Sequence, residues 1–363
     1  MAVYILRRLL LIPLTLFGIM LINFAVAQMA PGGPVEQMLA KAENQTVSAT
    51  ARLSGQGGAE AAASAPGQAG GAYRGARGLD PAYVAEIRHQ FGFDIPPGRR
   101  FVKMMRDYLH FDFGKSFYRD ESVVDLVLEK MPVSISLGLW STLIIYVVSI
   151  PLGIAKAVRD GSRFDIATSW IIIIGNAVPS FLFAILLVVL FCGGSYWSLF
   201  PLRGLVSPGW AHLPWPQRIA DYAWHLALPL TCVVIGGFAG LTMLTKNCFL
   251  DEIHKQYVIT ARAKGLTERR VLYGHVFRNA MLLVIAGFPS LLVGILFTGQ
   301  MLIEIIFSLD GLGQLGFEAV INRDYPVMFG TLYVFSLLGL VLNLLSDLTY
   351  HLVDPRIDFE ARS

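Results

Sequence analysis

The stretch Ile171-Ile-Ile-Ile-Gly-Asn-Ala-Val-Pro-Ser-Phe-Leu-Phe-Ala-Ile-Leu-Leu-Val-Val-Leu-Phe191 contains no Asp, Glu, Lys or Arg. A helix needs about 20 apolar residues to cross a hydrocarbon core about 30 Å thick. Central Leu, Ile, Phe and Val each favour insertion by about 0.3–0.6 kcal/mol, whereas one central Lys, Arg or Asp opposes it by about 2.5–3.5 kcal/mol. With the residues just before it, this stretch reads as a membrane span over 166–191. Five more windows have the same character, at 9–29, 133–155, 226–245, 281–303 and 327–345. The chain thus reads as an all-α membrane protein with six transmembrane helices.

Composition supports the same class. Of 363 residues, 55% are hydrophobic and only 15% charged, against about 25% charged in soluble domains. A net charge of +3 is too small for a nucleic-acid partner, which demands concentrated Lys and Arg. The three cysteines, Cys192, Cys232 and Cys248, lie far apart in or beside apolar runs and build neither a disulfide framework nor a zinc site. The first window, with Arg7, Arg8 and Ala25-Val26-Ala27, imitates a signal peptide. Its apolar run is longer than such segments allow, so it reads as a retained helix.

Lys and Arg in the short connections set the orientation. With the N-terminus inside, the cytoplasm receives Arg7 and Arg8, then Lys156, Arg159 and Arg163, seven residues in 246–280, and finally Arg356 and Arg362. The short outer connections hold only Arg203, Arg218 and Arg323. Fourteen against three places both termini inside.

This divides the chain into an N-terminal helix (1–30), a long outer loop (31–131), a five-helix core (132–353) containing a cytoplasmic loop (246–280), and a cytoplasmic tail (354–363). Within the long loop, 41–78 is dominated by Gly, Ala, Ser and Gln, has little to bury and is expected to be flexible. Asp80-Pro81 has helix-start chemistry. The amphipathic stretch 123–127 either lies on the membrane surface or packs on the neighbouring domain.

The loop 246–280 is too polar to insert but patterned as two short helices. The first, from about Phe249, would end with Gly265 as its C′ residue. Thr267 would cap a second that starts at Glu268. Ala261, Ala263 and Gly265 would form a small-residue edge that another backbone can approach. Lys255, Arg262, Lys264, Arg269 and Arg270 would stand ready for a partner's acidic groups.

Catalytic and nucleotide motifs point elsewhere. No GxxxxGK[ST] loop occurs, so no nucleotide is expected on this chain through one. Gly311-Leu-Gly-Gln-Leu-Gly316 formally matches GxGxxG, but it follows a membrane window instead of a strand and reads as a glycine-permitted turn. The histidines form no HExxH; neither a metal site nor a catalytic constellation is expected. Ion-coupled carriers place titratable groups inside their spans. Here Asp347, His351 and Glu304 lie at span ends, and mid-span polarity is limited to residues such as Asn23, Asn176, Thr231, Thr298 and Asn343. Pro179, Pro229 and Pro289 are expected kinks. An ion-coupled carrier and an ATPase-independent channel or enzyme remain the alternative classes, each without a constellation in its favour.

At this point the chain resembles a known family. Tyr257-Val-Ile-Thr-Ala-Arg-Ala-Lys-Gly265 followed by His275-Val-Phe-Arg-Asn-Ala280 is similar to the coupling-loop motif of the B-type permeases of dipeptide and oligopeptide ABC importers. Tyr4-Ile-Leu-Arg-Arg-Leu-Leu10, Ala30-Pro-Gly-Gly-Pro34, Phe113-Gly-Lys-Ser116, Arg323-Asp-Tyr-Pro326 and Asp354-Pro-Arg356 agree, in order. Tyr73-Arg-Gly-Ala-Arg-Gly-Leu-Asp-Pro81 and Val353-Asp-Pro-Arg-Ile-Asp-Phe-Glu360 look most like the Yej-type permeases of oligopeptide and microcin C uptake. Two residues depart from the general importer motif: Ile259 stands where Glu is usual, and Arg278 where Pro is usual.

The resemblance implies a type I ABC importer permease fold with a long periplasmic loop after helix 1, in the bacterial inner membrane. It implies a second homologous permease, a periplasmic peptide-binding protein and two ATPase domains that carry the ATP and Mg, with no cofactor on this chain. Tyr257, Thr260, Ala261, Arg262, Ala263, Lys264 and Gly265 would dock on an ATPase domain. Glu304, Gly311, Gly313, Arg323 and Asp324 would face the binding protein.

Overall fold

In the computed structural model of the chain, residues 2–29, 94–192, 196–288 and 301–353 are described. Among them the protein is helical without a strand; Lys115 and Ser122 form an isolated bridge. The helices are α1 (Ala2–Met29), α2 (Pro97–Tyr108), α3 (Val123–Val158), α4 (Arg163–Ala177), α5 (Ser180–Phe191) and α6 (Trp215–Ile253). They continue with α7 (Gln256–Ala263), α8 (Glu268–Val271), α9 (Phe277–Ala286), α10 (Met301–Ile306), α11 (Leu312–Asn322) and α12 (Tyr325–Val353). A π turn, Leu272–Val276, joins α8 to α9.

Four of these, α1, α3, α6 and α12, are long and apolar enough to cross a membrane, and they contain four of the expected windows. The opening stretch departs from a straight span. Helices α4 and α5 meet at 87° and together make at most one further span. Val178 is extended (φ −87°, ψ 119°) and Pro179 is the N-cap of α5. Proline pushes the preceding residue out of helical conformation and offers no N–H, which turns the expected kink into a break. The window 281–303 is divided, with α9 ending at Ala286 and α10 starting at Met301; the intervening 289–300, with Pro289 and Thr298, lies outside the described residues. So do the segment 41–78, the Asp80-Pro81 helix start and the tail 354–363.

Several threonines within the long helices are satisfied by their own helix. Thr142 donates to the Gly138 carbonyl at 2.7 Å, Thr231 to Ala227 at 2.7 Å, and Thr242 to Phe238 at 2.8 Å. In hydrocarbon no water is available to these hydroxyls, so the carbonyl one turn back is their natural acceptor. Outward-facing residues such as Ile171 and Ile174 are apolar and exposed, as a helix bathed in lipid requires. The stretch 123–127 does not lie on a membrane surface; it opens α3, with Val123, Leu126 and Val127 buried and Ser122 accepting from the Asp125 amide at 3.1 Å.

The chain forms two compact units. One comprises 1–13, 127–317 and 334–363, the other 14–126 and 318–333. In the first, one apolar cluster joins the ends of α3 and α6 to α7, α8 and α9 through Ile154, Ala157, Phe249, Val258, Ala261, Val271 and Ala280. A second cluster joins α3, α5, α6 and α10 through Leu137, Ala184, Leu226, Cys232 and Ile303. The second unit is built on aromatic rings. Phe101 meets Phe17 and Phe24 at 5.6 and 5.2 Å, and Tyr108 meets Phe113 and Tyr333 at 4.8 and 5.5 Å. Tilted and edge-on pairs of this kind add about 0.5–1.5 kcal/mol each beyond their burial. Gly330 is required there, because a Cβ would lie 2.7 Å from Val123 and 3.2 Å from Phe113.

Candidate functional site

Helix α6 continues past its apolar window to Ile253 and is capped by His254, so the loop proper begins later than Phe249, which is fully buried. The hinge between α6 and α7 is held by Glu252, which pairs with Lys255 and accepts a hydrogen bond from the Tyr257 hydroxyl at 2.7 Å. Burial, then that carboxylate, push the Tyr257 phenol up from its ordinary pKa.

Helix α7 ends as expected. Gly265 has φ +80°, its amide donates to the Arg262 carbonyl at 2.9 Å, and the Leu266 amide donates to Ala261 at 3.4 Å. This pair of bonds is a Schellman motif, whose left-handed C′ residue favours glycine. Thr267 occupies the N-cap position of α8 in extended conformation, but its side chain makes no capping bond. The second helix is held instead by Glu268, whose two carboxylate oxygens accept from Arg262 Nε and Nη2 at 2.9 and 3.1 Å across the turn.

The loop therefore has an inner and an outer face. Val258 and Ala261, three residues apart on α7, share the inner face with Val271 and Val276, all buried. Thr260, Arg262, Ala263, Lys264 and Gly265 are exposed, and Tyr257 is half-buried at the hinge. This corrects two expectations. Ala261 is core, so the small-residue edge reduces to Ala263 and Gly265. Arg262 and Lys255 are already paired within the chain, leaving Lys264, Arg269 and Arg270 without an ion pair among the described residues.

The outer face also carries Ile259 and Tyr273, 51% and 56% exposed. The signal for Ile259 was its departure from the general motif: an apolar side chain occupies an exposed position where the general importer motif usually has Glu. Beside the loop is a groove of about 610 Å³, bordered by Asp160, Leu250, His254, Arg262 and Tyr273.

The residues expected to face a delivery protein are mostly interior. Glu304 is fully buried. Its carboxyl accepts from Ser134 Oγ at 2.7 Å and from the Gln314 amide at 2.9 Å, at the start of α11. Gly311 and Gly313 make room for it, since a Cβ on Gly311 would come within 2.5–2.6 Å of all three carboxyl heavy atoms, and one on Gly313 within 2.9 Å of Oε2. The glycines of the formal GxGxxG are thus needed for space, and neither has a positive φ.

In the other unit, Asp324 is 5% exposed, accepts from Ser116 Oγ at 2.5 Å and from the Phe117 amide at 3.2 Å, and stands just ahead of α12. Burial pushes its carboxyl up from the ordinary range, against the opposing effect of those donors. Arg323 is half-buried with φ +55°.

One cluster was not foreseen. Lys156, counted above only as a positive-inside charge, is fully buried and pairs with Asp165 at 2.9 Å. Lys246 bridges Asp165 and Asp160, each at 2.8 Å. The available signal was the spacing Ser162-x-x-Asp165, a capping-box pattern; Ser162 Oγ does accept from the Asp165 amide, at 3.2 Å.

Residues 149–359 match the family model described as binding-protein-dependent transport system inner membrane component. The chain is 61% identical over 362 residues, covering 100% of both sequences, to the peptidoglycan transport system permease protein YejB of Agrobacterium fabrum. It is 59% identical over 364 residues, again 100% of both, to the inner membrane ABC transporter permease protein YejB of Escherichia coli. To the oligopeptide transport system permease protein AppB of Bacillus subtilis it is 31% identical over 364 residues, 99% of this chain and 100% of that one.

Proposed function

The chain belongs to the family of binding-protein-dependent transport system inner membrane components, and from that premise we propose that it is the membrane subunit of an ATP-driven importer of oligopeptides. Its place is the bacterial inner membrane, with six spans, the loop 31–131 in the periplasm and both termini in the cytoplasm, an arrangement that the Lys and Arg distribution supports. A second homologous permease completes an alternating-access pore, a periplasmic binding protein delivers the peptide, and two ATPase domains, in one chain or two, bind ATP and Mg. This chain takes no cofactor and performs no hydrolysis. The names of its relatives, for oligopeptide and for peptidoglycan transport, share a peptide component. Peptide conjugates such as microcin C fall in the same cargo class.

The observation that carries this reading is the braced helix pair at the end of α6. An apolar underside fixes it to the membrane helices, Arg262 and Glu268 lock its turn, and Ile259, Thr260, Ala263, Lys264 and Gly265 remain exposed for a partner. A rigid exposed knob on a long helix suits the transfer of a partner's closure into the membrane.

The test has two arms. A strain lacking the chain is expected to lose uptake of labelled oligopeptides and to resist microcin C. Purification in mild detergent is expected to co-elute an ATPase polypeptide. A transport-competent chain isolated without one, or uptake that survives ATP depletion but collapses with the proton gradient, would overturn the proposal.

A further inference from the structure

We propose that Lys156, Asp165 and Lys246 form a mechanical joint that makes the docking loop, α3, α6 and the start of α4 move as one body, a role that rests on the transport reading above. The two central charges, Lys156 and Asp165, are almost completely enclosed, with side chains 0% and 8% exposed. Lys156 Nζ is fully buried and donates to the Asp165 carbonyl at 2.8 Å, Thr168 Oγ1 at 2.9 Å and Ser169 Oγ at 2.7 Å, besides its ion pair with Asp165 Oδ1. The last turn of α3 is thereby tied to the first turns of α4. Lys246 adds α6 by reaching Asp165 Oδ2 and Asp160 Oδ1, and the Gly161 amide donates to the same Oδ2 at 3.2 Å. Two cations and two anions, on three helices and the turn between α3 and α4, leave no net charge in the cluster.

The backbones beside the joint are also in close contact. A Cβ on Gly153 of α3 would lie 2.6 Å from Thr245 Cβ and 2.8 Å from the Thr242 carbonyl of α6, and Ser149 Oγ donates to the Phe238 carbonyl at 3.2 Å. Farther along, α6 hands over directly to the loop, whose Val258, Ala261 and Val271 share one apolar cluster with Ile154 and Ala157 of α3.

These contacts differ in what they resist. Apolar packing holds helices together but has little directional preference, so it tolerates sliding. An enclosed network of charges has one register, because a shift of one turn would leave a buried lysine or carboxylate unpaired. Fixing register is what a joint needs if displacement of the loop is to reach α3 and α4 without slip. Lys156, Asp165 and Lys246 are therefore positioning residues, and they act through the loop without forming its exposed face.

The test uses the complete transporter, purified with its ATPase and second permease and reconstituted with the binding protein in proteoliposomes. Labelled peptide taken up per ATP hydrolysed is the readout. Lys246→Met keeps the length and packing of the side chain but removes its charge. It is expected to retain binding-protein-stimulated hydrolysis while uptake per ATP falls by about tenfold, a typical coupling factor; Lys246→Arg is expected to restore most of it. Asp160→Asn, which removes one half-exposed arm of the network, is expected to lower the ratio by only about twofold, and it carries the test should Lys246→Met fail to assemble.

An unchanged ratio in Lys246→Met would overturn the proposal, as would hydrolysis and uptake falling together in proportion to assembled complex. If Asp160→Asn is the variant carrying the test, an unchanged ratio in it does the same. Failure of the transport reading looks different: the unaltered chain would then show no ATP-dependent uptake at all.

Discussion

Gly311→Ala is a sharp test of the interior role given to the glycine motif. The native φ of Gly311 is not in the left-handed region, so alanine adds no backbone strain and would gain about 0.4–1 kcal/mol by restricting the unfolded chain. Against this, the new methyl would sit 2.5 Å from Glu304 Cδ and 2.6 Å from each of its oxygens. The carboxyl must move, and it would lose the Ser134 and Gln314 donors. Each buried group left unsatisfied costs about 1–3 kcal/mol. The net expected loss is about 2–5 kcal/mol, which for a chain of this size lowers the unfolding midpoint by roughly 3–7 °C.

The assay is thermal unfolding of the detergent-purified chain followed by size-exclusion fluorescence, with Glu304→Ala and the double substitution alongside. Glu304→Ala removes the obstacle, so the double substitution is expected to cost less than the sum of the singles. A midpoint unchanged by Gly311→Ala would refute the cradle, as would strict additivity. Lost uptake at an unchanged midpoint would instead place Gly311 on a partner's face, where the motif resemblance put it.

Three further outcomes follow from the same geometry. Ala263→Asp and Gly265→Asp each place a carboxylate on the outer face of the loop and are expected to abolish uptake at normal membrane levels; normal uptake by both would remove the docking assignment. Ile259→Asp is expected to reduce ATPase co-elution by about fivefold or more, since an exposed apolar anchor in an interface center is worth at least 1 kcal/mol, and unchanged co-elution would show that Ile259 stays outside the contact. For Asp324, a folded-state carboxyl raised by burial retains its proton longer than the unfolded one, so the unfolded state binds fewer protons there and stability falls as pH rises above the ordinary value near 3.8. Asp324→Asn is expected to flatten that part of a pH-resolved melting profile; an unchanged slope would show that the dependence arises elsewhere.

The parts of the fold that could be read from the sequence are those governed by local rules. Absence of charge marked the long helices, because a single buried charge outweighs several apolar residues. Gly265 could be placed because a left-handed C′ residue is nearly a glycine requirement. Where the outcome depended on tertiary contact, the reading stopped short. Pro179 was expected to kink a span, but whether a proline kinks or breaks a helix depends on what receives its two ends, and here they part at 87°. Ala261 and Ala263 looked equivalent until the phase of α7 was known; two residues apart on a helix, they face opposite ways. Glu304 sits only a few residues from Gly311, yet its burial depends on Ser134 far along the chain, which no local pattern connects to it.

The lysines show most clearly what counting charges can and cannot reveal. Lys156 and Lys246 were tallied for topology, and a topological charge needs only water and the correct side of the membrane. Burial with Asp165 serves a different purpose, because enclosing a lysine is unfavourable unless its partners are held in place. The long helices offer little else for transmitting force: hydroxyls such as those of Thr142 and Thr242 bond within their own helix, and such bonds do not connect one helix to another. Connections between helices at the loop-bearing end come from the Gly153 contact, the Ser149 bond to the Phe238 carbonyl, the apolar cluster under α7 and α8, and the charged joint. Under the transport reading, motion imposed on Ala263 and Gly265 from outside reaches α3 and α4 through these contacts and through the direct continuation of α6 into the loop. The charged joint penalises slip in both directions along the helix axes, because either shift leaves a buried charge unpaired. That is why its removal is expected to separate hydrolysis from uptake, whereas damage to the apolar cluster should reduce both together by lowering the amount of folded protein.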